Sequence, residues 1–157
     1  MRLKGGAMFS KILFPTDFSE ASQLAMNCIP ELKQSGLKEV VVLHVNDFRG
    51  IDKLQPFVIN SRFLEARSKV LKENETAMQT IAKQLEADGI ATKLVTRSGC
   101  PIEEILKVED EENVSVVVMG SHNWSHLLRL FTPSVAEEVV HRSKRPVVVV
   151  KQPERCN

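Results

Sequence analysis

The 157-residue sequence predicts an α/β domain: a single five-stranded parallel sheet, doubly wound, with helices on both faces. Three observations predict it. Short, almost continuous apolar runs recur, such as Val40-Val41-Val42-Leu43 and Val116-Val117-Val118-Met119, and strands this apolar are covered on both faces. Segments of helical periodicity lie between them, so that strand and helix alternate four times before a closing strand. The length suits one domain, enough to bury about 70% of its unfolded surface without disulfides or metal.

Residues 1–8 are basic but lack the apolar core of a signal peptide and read as a flexible leader, with the domain over 9–152 and a tail over 153–157. Lys11 to Phe14 form the first strand, stopped by Pro15. Asp17 and Ser19 are both good N-caps for the helix that follows, and Glu20 suits its first turn. Leu24, Cys28 and Leu32 mark its stripe, Gly36 ends it, and Pro30 predicts a kink or an early end. Glu39 to Val45 form the second strand and 47–55 a loop. A long charged helix is expected from Pro56 to Asp88, with Leu64, Val70, Leu71, Met78, Ile81 and Leu85 as its buried face. Ala91 to Arg97 alternate like an edge strand. Pro101 opens a third helix after the turn Ser98-Gly99-Cys100. The fourth strand, Val116 to Met119, ends at Gly120, and Ser134-Val135-Ala136-Glu137 reads as the capping box of a fourth helix. Pro146 to Lys151 close the sheet.

Lys+Arg 21 against Asp+Glu 20 gives a net charge of +1, which leaves no broad electrostatic footprint for nucleic acid or an anionic membrane. No apolar run approaches the ~20 residues that span a bilayer. The three cysteines are widely spaced with no CxxC, which points to reduced thiols in a cytoplasmic protein. His122 and His126 sit four apart, but HNWSH lacks the glutamate of HExxH, and no metal site is expected. His44 reads as a satisfied core histidine, and His141 suits the negative end of its helix. Cys100 precedes a helix start, a place that can make a thiol reactive, though filling a turn is its simpler role. Glu109-Asp110-Glu111-Glu112 reads as a solvated acidic face.

The stretch around Gly120 carries the functional signal. A buried strand, a loop and a helix start in that order make an anion site, because ligands of open α/β sheets bind beyond the strand ends and free helix N–H groups favour negative charge. Gly120 permits a sharp turn, and Ser121, Thr132 and Ser134 supply hydroxyls. A strand stop and a cap serve any βα loop equally well. In the common five-stranded order the ends of the first and fourth strands face one crevice. GxxxxGK[ST], GxGxxG and GxSxG are all absent, which counts against P-loop, dinucleotide and α/β-hydrolase chemistry.

Pro15-Thr16-Asp17-Phe18-Ser19, Leu43-His44-Val45, Gly99-Cys100-Pro101, Met119-Gly120-Ser121-His122, Ser134-Val135-Ala136-Glu137 and Pro146-Val147-Val148-Val149-Val150, in this order, resemble universal stress proteins across Phe9 to Lys151. The resemblance implies the adenine-nucleotide α-hydrolase-like fold, a homodimer through strand 147–150, and in one branch ATP. It implies that Asp17 and the backbone of Val45 hold adenine, that Pro15, Thr16 and Met119 wall the pocket, that Gly120 approaches the ribose, and that the loop through Ser134 and Val135 takes the phosphates. Gly120 and Ser134 keep the ATP branch's glycine motif, whereas Asn123 and Pro133 stand where two further glycines belong. Asparagine tolerates φ > 0, but proline has no N–H for a phosphate oxygen and drives Thr132 toward extended geometry. Triphosphate binding is therefore weakened on this reading. Adenosine, AMP or ADP need only the adenine end, and Mg²⁺ enters only with a triphosphate.

Three functions stay open. The first is a cytoplasmic adenine-nucleotide-binding and signalling module of the stress response, its ligand ordering the loop from Asn123 to Thr132. The second is a nucleotide-free homodimeric protein-interaction module, for which Pro133 is the reason. The third is a slow ATP hydrolase, for which Asp17 is the one carboxylate near the pocket.

Overall fold

A computed structural model describes residues 9–49, 61–121 and 134–151. The elements are β1 (Lys11–Pro15), α1 (Glu20–Cys28), β2 (Glu39–Asn46), α2 (Ser61–Ala87), β3 (Ala91–Ser98), α3 (Pro101–Glu111), β4 (Val116–Ser121), α4 (Val135–Arg142) and β5 (Val147–Lys151). The strands form one sheet in the order β3-β2-β1-β4-β5, every pair parallel. The sequence-predicted class holds, with β3 at an edge as its alternation required. The leader, the tail and the loops 50–60 and 122–133 lie outside the described residues.

Each inner strand alternates its side chains between two cores. Ile12, Phe14, Val40, Val42, Val116 and Val118 pack with Ala25, Met26, Met78, Ile81 and Leu85 of α1 and α2. Leu13, Val41, Leu43, Val117 and Met119 pack on the opposite face with Ile105, Val108, Ala136 and Val139 of α3 and α4. Period-2 alternation between two dry layers is why these strands read as unbroken apolar runs. Each fully buried Val, Leu, Ile or Phe contributes about 1.5–3 kcal/mol.

Three expectations need correction. Helix α1 starts at Ser19, whose Oγ accepts from Ser22 N at 3.2 Å, and it buries Ala21, Ser22, Ala25 and Met26. Leu24 is half-buried and Cys28 exposed, so the buried stripe is turned from the expected one. Small residues face inward because α1 lies directly against β4, as described below. Pro30 acts as foreseen: the helix ends at Cys28 and continues as a 3₁₀ turn, Pro30–Ser35, closed by Gly36 at φ 92°.

In α2 only Met78, Ile81 and Leu85 of the expected face are buried, while Leu64, Val70 and Leu71 are 55%, 42% and 39% exposed. The cause is length. A 27-residue helix runs ~40 Å, whereas the eight-residue strands β2 and β3 span only ~27 Å. The amino-terminal half of α2 therefore overhangs the carboxyl end of the sheet.

The acidic run at the end of α3 is solvated only at Asp110 and Glu111. Glu109 is 1% exposed and accepts from Ser143 Oγ at 2.6 Å and Lys144 N at 2.8 Å. Glu112 pairs with Lys93 at 2.7 Å and Lys11 at 3.1 Å. The Lys93 hydrogen bond, followed by that of Lys11, holds the Glu112 carboxyl below the usual range. Among the described residues no helix is long and apolar enough to cross a membrane.

Candidate functional site

The chain reverses direction across the sheet between β1 and β4, because β2 and β3 lie on one side of β1 and β4 and β5 on the other. That reversal leaves a crevice at the carboxyl ends of β1 and β4, where the connections part to opposite faces. The sequence-predicted residues gather there. Pro15, Thr16 and Asp17 end β1, Val45 lies next to the end of β2, Met119 and Gly120 end β4, and Ser134 and Val135 open α4. Asn123, with Trp124, His126, Thr132 and Pro133, lies outside the described residues.

The β1 corner is built by short hydrogen bonds. Thr16 N donates to Leu43 O at 2.8 Å, carrying the β1–β2 pairing one residue past Pro15. Thr16 Oγ1 lies 2.9 Å from Ser22 Oγ and accepts from Phe18 N at 3.0 Å. Asp17 is exposed, and its Oδ1 accepts from Ser19 N at 3.0 Å. Of the two candidate caps, Ser19 is the N-cap, while Asp17 forms the turn before it with its carboxyl group at the surface.

Gly120 has a packing reason independent of any ligand. A Cβ there would stand 2.2 Å from Ala21 O, 2.3 Å from Ala21 C and 2.7 Å from Ser22 N. Those are backbone atoms of α1, so β4 and the first turn of α1 touch only because residue 120 has no side chain. Across the crevice the capping box of α4 is present: Ser134 Oγ accepts from Glu137 N at 3.1 Å, and Glu137 Oε2 reaches Ser134 N at 3.5 Å. Ser134 thus orients the first turn of α4 toward the strand ends.

Beneath the corner lies a hydrogen-bonded network of which the sequence singled out His44 alone. His44 is 8% exposed, with Nδ1 2.9 Å from Thr16 O and Nε2 3.1 Å from Asn74 Nδ2. Asn74 Nδ2 also donates to Asn46 Oδ1 at 2.9 Å. The Phe18 ring stacks on the imidazole, centroids 4.4 Å apart. His44 is the satisfied core histidine that its apolar strand suggested. Its partner Asn74, 30 residues away on α2, left no local signal.

Beyond β2, Arg49 Nε and Nη2 each donate to Asp47 at 2.7 Å, and this hydrogen bonding holds the Asp47 carboxyl below its ordinary range and the guanidinium above its own. Cys100 caps α3 ahead of Pro101, as the turn reading expected. Among the described residues no three His, Cys, Asp or Glu side chains cluster as metal ligands. A groove of about 710 Å³ runs along α2 past Glu65, Lys69 and Thr76, lined by that one helix and by none of the sequence-predicted site residues.

A sequence profile described as the Universal stress protein family matches residues 8–151. Among curated proteins, this chain is similar to Universal stress protein MJ0577 of Methanocaldococcus jannaschii, 35% identical across 92% of this chain and 96% of the relative. The solved structure of the hypothetical protein MJ0577 superposes with a TM-score of 0.78 at 36% identity, covering 94% and 99% of the two chains. A universal stress protein from Archaeoglobus fulgidus follows at 0.74 and 29%, covering 91% of this chain and 50% of the other. Two more distant structures share the fold. One is an Arabidopsis thaliana protein solved with AMP bound, at TM-score 0.66 and 14% identity over 92% of each chain. The other is a universal stress protein solved in complex with cAMP, at 0.64 and 16%, covering 91% and 97%.

Proposed function

The chain belongs to the universal stress protein family, and from that premise we propose that it is an adenine-nucleotide-binding module of the stress response, acting as a cytoplasmic homodimer. The observation that carries the reading is the meeting of Thr16-Asp17, Gly120 and Ser134 at the β1–β4 crevice. Asp17 and the Val45 backbone take the adenine edge, and Pro15, Thr16 and Met119 wall it. Gly120 lies by the ribose, and the first turn of α4 at Ser134 and Val135 faces the phosphate. The AMP and cAMP carried by the two fold neighbours support an adenine monophosphate as the ligand class. Pro133, with no N–H to offer, favours a monophosphate over ATP. Mg²⁺ enters only with a triphosphate.

Calorimetry with adenosine, AMP, ADP and ATP tests this. We expect AMP to bind more tightly than ATP, and Asp17→Ala to weaken AMP about tenfold, the worth of ~1.4 kcal/mol. Absence of heat with all four at millimolar concentration, in folded protein, would sink the nucleotide reading. It would leave the second reading, a nucleotide-free homodimeric interaction module, which Pro133 also favours. Phosphate release from ATP above an Asp17→Ala control would instead point to slow hydrolysis. The dimer is a separate proposal. β5 is an edge strand with Val148 38% exposed, and an apolar edge of this kind pairs readily. Ultracentrifugation at micromolar concentration should give a dimer, and Val148→Lys a monomer.

A further inference from the structure

We propose that His44 is a positioning residue that couples the adenine end of the crevice to the overhanging half of α2. The inference rests on the nucleotide reading above and adds to it a route by which occupancy is felt elsewhere.

The hydrogen-bond pattern fixes the state of the ring. Thr16 O can only accept, so His44 Nδ1, 2.9 Å away, carries a hydrogen and donates it. Asn74 Nδ2 has two hydrogens and two neighbours, Asn46 Oδ1 at 2.9 Å and His44 Nε2 at 3.1 Å. Asn46 Oδ1 accepts one and Nε2 accepts the other. With the Asn74 and Asn46 amides turned this way, His44 is the neutral Nδ1–H tautomer, both nitrogens satisfied, as suits a side chain this buried.

Each contact does separate work. Pro15 ends the β1 ladder and has no N–H, and beyond it Thr16 is tied to β2 twice, by its N–H to Leu43 O and by its carbonyl to His44. Phe18 has φ 63°, a left-handed conformation that a bulky side chain disfavours, and its ring lies stacked on the imidazole. Asp17 sits between these two residues, so the backbone that aims its carboxyl group is held on both sides through one ring. The other nitrogen of that ring belongs to α2. Asn74 clasps the helix to the end of β2, and Arg67 stands 4.4 Å over the Phe48 ring just beyond. Upstream of this clasp Leu64, Val70 and Leu71 are exposed, so the helix there has little packing to hold it against the sheet.

A ligand that stiffens the Thr16–Phe18 corner steadies His44, and through Asn74 the overhang. By linkage, loosening the clasp must weaken the ligand, by at most the factor with which the ligand steadies the overhang.

Two near-isosteres split the ring's roles, with AMP as the probe. His44→Asn keeps an amide donor at the Nδ1 position toward Thr16 O and loses Nε2. His44→Gln places its amide at the Nε2 position and loses the Thr16 donor. We expect His44→Gln to weaken AMP about tenfold and His44→Asn no more than about threefold. AMP should slow amide exchange over residues 61–77 several-fold in the native protein, and this protection should vanish in His44→Asn and in Asn74→Ala. Equal AMP affinity for the two His44 variants, or protection that survives Asn74→Ala, would overturn the coupling. Nitrogen NMR of the imidazole should show the hydrogen on Nδ1, and a hydrogen on Nε2 alone would refute the assignment. If native protein binds no AMP, the nucleotide reading fails by itself. The joint is then decided in ligand-free protein, where Asn74→Ala should speed exchange at the amides of Phe18 and Ser19, and unchanged rates would dismiss it.

Discussion

The two ends of the sheet are held by different forces. At the amino end the contacts are made by charged side chains and lie around the carboxyl ends of α3 and α4: Lys11 and Lys93 pair with Glu112, Lys144 pairs with Asp110, and Arg145 donates to the Asn113 side-chain oxygen. Glu109 ties the two helix ends together. At the carboxyl end the inner contacts are neutral hydrogen bonds among Thr16, Ser22, His44, Asn46 and Asn74, with backbone touching backbone at Gly120. Charged contacts at one end and an uncharged polar interior at the other suit different tasks. Surface ion pairs tolerate rearrangement and add little each. A buried neutral network fixes geometry, because every member lost leaves another unsatisfied. The end that must hold one shape for a ligand carries the second kind.

Substitutions should rank accordingly. The largest effect is expected from Gly120→Ala, which forces α1 and β4 apart and should cost about 3 kcal/mol by urea unfolding. A loss below ~1 kcal/mol would mean that the α1 contact gives way easily. Next, Glu109→Ala strands the Lys144 N–H, leaves the Ser143 hydroxyl only Arg145 O as an acceptor, and should cost about 2 kcal/mol. It should leave AMP affinity within about twofold, because Glu109 lies at the far end of the sheet; a larger change would break the separation of the two ends. Glu112→Gln should cost at most ~1 kcal/mol at neutral pH. Since Lys93 and Lys11 depress the folded-state pKa of Glu112, their contribution is present above the ordinary carboxylate value and is lost as pH falls through the depressed one. Native and Glu112→Gln unfolding midpoints should therefore converge on acidification, and a constant gap would deny that the pair titrates. The smallest effect belongs to Arg49→Ala, an exposed pair with Asp47 at the carboxyl end, which should leave the urea midpoint unchanged.

The sequence showed the strands plainly, because strands dry on both faces leave runs such as Val40 to Leu43 that few other structures need. The β1–β4 crevice was legible too, through Gly120 and the Ser134–Glu137 box. Three features were not. The stripe Leu64, Val70, Leu71 has the same periodicity as Met78, Ile81, Leu85, and no periodicity says where the sheet beneath a helix stops. The inward face of α1 begins with the small residues Ala21, Ser22 and Ala25, which suit close approach to Gly120 rather than apolar bulk. Glu109 reads as one acid among four until Ser143 and Lys144, 34 and 35 residues later, arrive to meet it.

The strand order also sets a schedule for folding. β1 is the first strand synthesised and the middle strand of the finished sheet. Its neighbour β2 follows soon, but β4 completes its other side only after Ser115, 104 residues downstream of Lys11, has been made. At about 5–20 residues per second that interval is on the order of ten seconds. For its duration Ile12, Leu13 and Phe14 present an unpaired apolar edge to other chains. A strand that ends fully dry is thus the one whose edge waits longest for its partner during biogenesis.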